Sequence, residues 1–347
     1  MPTYPTLFIT ERGLRHQQDA LNAAPAELAV TMLRRPTREE LWPHLAATVF
    51  WISERTGTID AEMIQAASQL KMILRLGSLT YDIDLDAARA AGVVIAAWPQ
   101  RGVIMVAEHL VMQMLALRKQ LRQVEAITLA AGDWGLSRRT DEDTFAYNWS
   151  GRQDIGGLWR STIGILGFGE IGAELARRLA GWDCRVLYHR RRRLPDRAEA
   201  ELGVAYATQD ALLAESDFVV NLLPYPSVNK PGFSEKPGLS HGADLALDAA
   251  QLAGMKRGAY LVSCGSGSVL DEAALADAVA ANRLAGVALD TFEWEPIRPD
   301  NPLRRLALEG RNVLLTPNTE AGTPTVGVIP SRTDDYAPIV QFLRHNL

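Results

Sequence analysis

Two groups of residues in the middle of the chain are arranged for chemistry on an anionic nucleotide. Gly167-Phe168-Gly169-Glu170-Ile171-Gly172 follows directly on the apolar run Thr162-Ile163-Gly164-Ile165-Leu166 and precedes a helix-forming stretch from Ala173 to Leu179. In a strand, turn, helix context the first glycine permits the tight turn, the second lets the backbone approach a pyrophosphate, and the third lets the helix lie close to the strand. The amides at the helix start then face the anion. A second apolar run, Arg185 to Tyr188, ends about twenty residues past the fingerprint, where selection of an unphosphorylated ribose places Asp or Glu. This chain has His189-Arg190-Arg191-Arg192-Arg193 there. A carboxylate would repel a ribose phosphate, whereas guanidinium groups grip one bidentately and stay charged. His189, Arg190 and Arg191 therefore point to NADP, with NAD the second choice, while Arg192 and Arg193 read as a solvated basic loop.

The elements that must hold these residues read as alternating strands and helices. Apolar runs at Leu7 to Thr10, Leu28 to Leu33, Thr48 to Ile52, Met72 to Leu76 and Val93 to Ala97 form a first α/β unit. An amphipathic helix is predicted from Val103 to Glu125. The stretch from Ala131 to Arg160 carries Trp134, Phe145, Tyr147, Trp149 and Trp159, too aromatic for a disordered linker, and reads as an ordered excursion that covers a cleft, a subunit partner or its own domain. Buried strands follow at Phe218 to Leu223, Tyr260 to Ser263, Gly286 to Leu289 and Val313 to Thr316. Pro224 to His241, rich in Pro, Gly and Ser, reads as a long loop near the cofactor, and Tyr336 to Leu347 as a helix returning to the first unit.

With 347 residues and a 47% hydrophobic fraction the chain has material for two domains. A formal net charge of -5 gives no global attraction to nucleic acid or anionic lipid, so the arginines mark a local site for a small anion. The two cysteines, Cys184 and Cys264, have no metal-ligand spacing, and no metal site is expected. Met1-Pro2-Thr3-Tyr4-Pro5 lacks the regions of a signal peptide and no run approaches a membrane span, so a cytoplasmic protein is expected.

Val106-Ala107-Glu108-His109, the fingerprint, Met255-Lys256-Arg257-Gly258-Ala259, Leu284-Ala285-Gly286-Val287-Ala288-Leu289-Asp290 and Leu314-Leu315-Thr316-Pro317 occur in that order. Together they resemble the D-isomer-specific 2-hydroxyacid dehydrogenase family, over nearly the whole stretch from Gly57 to Thr323, with Val106 to His109 leaning toward its formate dehydrogenase branch. The resemblance implies two Rossmann-like α/β domains with parallel sheets: a discontinuous, flavodoxin-like substrate domain over 1–118 and 319–347, and a nucleotide-binding domain over 119–318. It also implies a cleft between them and a homodimer formed through the nucleotide domain. Further cofactor contacts are implied at Pro224, Cys264, Gly265 and Asp290, and substrate contacts at Gly77, Ser78, Leu79, Tyr81 and Arg101.

The family's catalytic trio of Arg, Glu and His is broken. Ser263-Cys264-Gly265-Ser266-Gly267 puts Ser266 where the family has Arg, and Asn318 follows Thr316-Pro317 where it has His; Glu295 matches the family Glu. Leu79 replaces a usual Gly of the substrate loop, and Gly102 and Met105 replace residues that are often Asn and Ser. Asn318 can donate a hydrogen bond but cannot exchange a proton near neutral pH, and Ser266 offers no charge. Burial could lift Glu295 into a useful range, Cys264 could be a thiol nucleophile and His109 could replace the missing imidazole, although each has a structural reading too. The leading expectation is an NADP-dependent oxidoreductase acting by hydride transfer on an atypical, less acidic or bulkier substrate. A catalytically silent NADP-binding sensor or scaffold comes second, and a lyase or dehalogenase-like activity that uses bound nicotinamide transiently comes third.

Overall fold

The computed structural model describes residues 3–54, 57–145, 147–224, 247–322 and 332–346, and the chain divides into two units, Met1–Ile104 with Gly322–Leu347 and Met105–Ala321. In the first unit β1 (Tyr4–Thr10), β2 (Leu28–Arg34), β3 (Phe50–Glu54), β4 (Met72–Arg75) and β5 (Val94–Ala97) alternate with α1 (Leu14–Asn22), α2 (Arg38–Leu45), α3 (Ala61–Ala66) and α4 (Leu85–Ala90). The strands pair in parallel in the order β2-β1-β3-β4-β5.

Strand periodicity divides this core into two faces. Leu7, Ile9, Trp51 and Ile73 pack with Leu41 and Leu45 of α2, Met63 and Ile64 of α3 and Ala88 of α4. The alternate residues Phe8, Phe50, Ile52, Met72 and Leu74 pack with Ala20 of α1 and with Tyr336 and Ile339 from the C-terminal segment. A sheet covered on both faces needs near-continuous apolar strands, and β3 is buried throughout.

The second unit contains α5 (Arg101–Lys119, which starts in the first), α6 (Leu121–Ala130), β6 (Thr162–Leu166), α7 (Glu170–Leu179), β7 (Arg185–His189), α8 (Asp196–Leu202), β8 (Val204–Tyr206), α9 (Gln209–Glu215) and β9 (Phe218–Asn221). It continues with α10 (Ala249–Gly254), β10 (Tyr260–Ser263), α11 (Glu272–Ala280), β11 (Gly286–Leu289), α12 (Pro302–Leu308) and β12 (Val313–Leu315). The parallel order is β12-β11-β10-β9-β6-β7-β8, so the winding reverses between β6 and β9, where an open α/β sheet binds its ligand. Leu166, Val219, Leu261, Val287 and Leu289 fill one face with residues of α9 to α12.

The single helix expected over 103–125 is two. Gln120 adopts a left-handed backbone at φ +49 and separates α5 from α6. The division between units also falls at the first turn of α5 instead of after Arg118, because the body of this helix bonds to the second unit. His109 reaches Thr316, Gln113 reaches Cys264, and Arg118 reaches the Tyr260 hydroxyl. α13 (Ala337–Asn346) returns to the first unit as expected. No helix among the described residues is long and apolar enough to cross a membrane.

Candidate cofactor cradle and active site

The turn between β6 and α7 is shaped by each glycine differently. Gly167 has φ +85, and a Cβ there would lie 2.7 Å from the Leu222 backbone, so no other residue fits. A Cβ on Gly169 would meet nothing within 4 Å, which leaves open space directly above the N-terminus of α7. No side chain caps that helix at Gly169. A glycine turn opening directly into a helix in this way is the arrangement that receives a pyrophosphate. At Gly172 the close neighbour of a Cβ is the Phe168 ring at 2.9 Å. The third glycine therefore makes room for Phe168 and not for the strand, and the buried Phe168 ring, 4.8 Å from that of Tyr188, leaves only its backbone for a cofactor. Glu170 and Ile171 form the first turn of α7.

At the end of β7 the His189 carbonyl accepts from Gly167 N at 3.0 Å, which ties the end of this strand to the glycine turn. Arg190 is half-buried and Arg191 and Arg192 are exposed. Arg193 has another task. It binds Glu199 at 2.7 Å and Asp196 at 3.1 Å, while the Tyr188 hydroxyl donates to Glu199 and accepts from Leu194 N, so this cluster shapes the loop behind the corner.

The loops after β9 and β10 cross tightly. A Cβ on Gly265 would lie 2.8 Å from Leu223 N, and Ser266 N donates to the Leu223 carbonyl. The buried Asn221 holds the crossing: its Nδ2 donates to Ser263 Oγ at 3.0 Å, its Oδ1 accepts from Leu223 N at 3.1 Å, and its carbonyl accepts from Gly265 N. Pro224 is exposed at the end of this loop, and the rest of the loop expected up to His241 lies outside the described residues.

Ser266 is buried and turned to local use. Its Oγ accepts from Ser268 N and pairs with Ser268 Oγ at 2.6 Å, capping a short helical turn. Cys264 is buried as well, with its thiol 3.7 Å from Gln113 Oε1. Burial, with the Asp290 charge adding to it, pushes that thiol far above its ordinary range, so Cys264 is no nucleophile.

Asp290 organises the turn that follows β12. Fully buried, it accepts from Thr319 N at 2.7 Å and Glu320 N at 2.8 Å, and its backbone carbonyl accepts from Asn318 N. His109 Nε2 lies 3.3 Å from Thr316 Oγ1 and 3.6 Å from Asp290 Oδ1. Burial pulls the His109 imidazole below its ordinary value despite the Asp290 charge, so it packs behind the turn as a neutral ring. Asn318, exposed in a left-handed backbone at φ +54, donates from Nδ2 to Glu295 Oε2 at 2.9 Å, and Glu295 Oε1 accepts from Phe292 N at 3.1 Å. Glu295 is exposed and not buried as a raised acid would require, and both of its oxygens are engaged, one by Asn318 and one by Phe292 N.

Gly77, Ser78, Leu79 and Tyr81 lie in the first unit, on the loop after β4, and Arg101 is exposed at the start of α5. Gly77 has φ +150 and donates to the Trp98 carbonyl at 2.9 Å, joining the loops after β4 and β5. At the same strand ends lies a cluster that sequence reasoning missed. Glu54 accepts from Thr10 Oγ1 at 2.7 Å, Arg332 Nη2 at 3.1 Å and Arg12 Nε at 3.3 Å. Burial alone would raise its carboxyl, but the guanidinium of Arg332, the Thr10 hydroxyl and Arg12 hold it below the ordinary value. The one signal was a polar residue closing an otherwise apolar strand, as Asn221 does at the end of β9.

Comparison with known proteins agrees with this fold. The model of the D-isomer specific 2-hydroxyacid dehydrogenase NAD binding domain matches residues 111–237 and 238–319. The chain is 32% identical over 287 residues to D-3-phosphoglycerate dehydrogenase of Archaeoglobus fulgidus, covering 83% of this chain and 48% of that one, so it spans about half the length of that relative. It is 33% identical over 273 residues to glyoxylate reductase of Korarchaeum cryptofilum, covering 78% of this chain and 73% of that protein. Among solved structures, a glyoxylate reductase from Paecilomyes thermophila superposes with a TM-score of 0.51 at 25% identity, covering 99% of this chain and 95% of that one.

Proposed function

The chain belongs to the D-isomer specific 2-hydroxyacid dehydrogenase family, and from that premise we propose that it is an NADP-dependent oxidoreductase whose substrate is not a small 2-oxoacid. The observation that carries this reading is the Asn318 to Glu295 hydrogen bond, together with a Ser266 engaged on Ser268. The two positions where the family sequence pattern has a cationic side chain and an imidazole hold neutral groups.

A nicotinamide dinucleotide supplies the hydride when bound. The open space above Gly169 and the uncapped start of α7 fit its pyrophosphate, and Arg190 and Arg191 fit a ribose phosphate. Pro224, the backbone at Cys264 and Gly265, and the turn held by Asp290 are assigned to the rest of the cofactor, and Gly77, Ser78, Leu79, Tyr81 and Arg101 to substrate. Asn318 has one amide hydrogen committed to Glu295 and a second to offer a substrate oxygen. It orients and polarises, but the proton that the reduced oxygen takes up must come from solvent. A positioned acid contributes about 10² to 10⁴ in rate, and a donor to a developing oxyanion about 2.7 to 4 kcal/mol. Without both groups, reduction of an α-carboxylate substrate is the reaction most weakened.

A second copy of the chain is proposed to cover the outer face of α5 and α6. There Val111, Met112, Leu115, Ala116, Leu121 and Trp182 line an apolar groove. In the neighbouring 131–160 segment Phe145 and Tyr147 are exposed, and Trp134 and Trp149 meet edge to face at 5.4 Å.

The test is to incubate the protein with NADPH and a panel of carbonyl compounds with and without an α-carboxylate, following absorbance of the reduced cofactor. Turnover confined to compounds without the carboxylate supports the reading. Cofactor binding with no turnover of any compound would favour a silent binding protein.

A further inference from the structure

His189 stands where a carboxylate would select an unphosphorylated ribose, and its surroundings fix which nitrogen can titrate. Its Nδ1 lies 2.9 Å from the carbonyl of Ala207. A carbonyl only accepts, so Nδ1 carries a hydrogen in both charge states, and Nε2 is the atom that gains or loses the proton. The ring packs against Tyr206 with centroids 5.7 Å apart, and its own carbonyl is bonded to Gly167 N. The imidazole is thus anchored to the peptide that closes the glycine turn.

We propose that His189 reads the 2′ position of the cofactor ribose through its charge state: unprotonated, Nε2 accepts from a 2′-hydroxyl, and protonated, it donates to a 2′-phosphate. The inference rests on the NADP reading and turns a fixed selectivity into a proton-linked one. Arg190 and Arg191 remain charged at any working pH and contribute no pH dependence. The other titratable groups on the elements that meet here are Tyr206 on β8, Glu170 on the first turn of α7, Asp210 on the first turn of α9, and the Tyr188, Arg193 and Glu199 cluster. Phenols, carboxylates and guanidiniums change charge outside the interval from about pH 6.5 to 8.5.

The sign follows from charge. A phosphate dianion stabilises the imidazolium, so NADP binding takes up a proton and tightens as pH falls through this interval, by at most about tenfold per unit. NAD binding uses the unprotonated ring and takes up no proton. The second ionisation of the 2′-phosphate, near pH 6, works in the opposite direction and belongs to the ligand.

Calorimetric titration of NADP and of NAD into the full chain and into His189→Asn, at about pH 6.5, 7.5 and 8.5, separates these contributions. Each titration is run in two buffers of different ionisation enthalpy. The Asn variant keeps an amide donor for the Ala207 carbonyl but cannot take a proton. The expected result is net proton uptake with NADP in the wild type and a rise of about tenfold or more in the NADP to NAD affinity ratio on going from the highest to the lowest pH, with a variant ratio constant within about twofold. An equal rise in the variant, or no proton uptake in the wild type, overturns the proposal. The wild-type proton count stands even where the variant fails to fold. NADP bound no more tightly than NAD at any pH would reject the NADP reading itself, whereas tight NADP binding without a pH slope rejects only the role of His189.

Discussion

Asn318 Nδ2 donates to Glu295 Oε2 at 2.9 Å, from a left-handed backbone held at φ +54 by the Asp290 turn. Asn and His both tolerate that backbone better than most residues. The turn therefore accepts an imidazole at 318 without new strain, and the present amide is a matter of side chain alone.

Cofactor choice follows from the end of β7. NADP is expected to bind at least about tenfold more tightly than NAD at neutral pH, and Arg190→Asp to narrow or reverse the difference. Fluorescence titration with each cofactor measures it, and equal affinities in the wild type would remove the arginines from the site.

Glu54 links the first unit to pH. Its carboxyl is held below the ordinary value near 4.3, so its stabilisation is fully present above the unfolded value and is lost as pH falls through the lower folded one. Glu54→Gln leaves Arg332 paired with Asp335 alone and is expected to cost about 1 to 3 kcal/mol at pH 7. Denaturant titrations should show the gap to wild type closing below about pH 4. A gap independent of pH would mean that the charge does not stabilise.

These elements show what a sequence discloses. The strands at 260–263 and 286–289 were legible to the residue, because a sheet covered on both faces demands unbroken apolar runs. The glycine turn was legible because Gly167 has no substitute. Gln120 was not: its left-handed backbone ends α5 in a sequence that continues helical periodicity on both sides. β8 escaped notice because three residues with two exposed carry no pattern. Glu54 and Asn221 stand out only as polar ends of apolar strands, and nothing local announces the bonds they make to Arg332 and Ser263. Ser266, Asn318 and Glu295 were located by resemblance, but only the structure shows Ser266 bonded to Ser268 and Asn318 to Glu295.

The apolar face of α5 and α6 carries a prediction about assembly. The wild type is expected to have twice the mass of one chain by light scattering, and Met112→Glu with Leu121→Glu to give a monomer with an unchanged circular dichroism spectrum. A monomeric wild type would leave the exposed aromatics of 131–160 to another role.

The most direct measurement is NADPH oxidation with glyoxylate by the wild type and by a variant carrying Ser266→Arg and Asn318→His. Ser266 has an ordinary extended backbone but is buried, so an arginine loses the Ser268 cap, about 1 kcal/mol, and must also find room for its longer side chain. The account predicts negligible turnover by the wild type and a gain of about 10² or more in the variant, as a positioned acid beside Glu295 and a cation at 266 return together. Wild-type turnover at roughly 1 to 10³ per second would contradict it, because the neutral Asn318 and Ser266 would then suffice for the chemistry held to be lost.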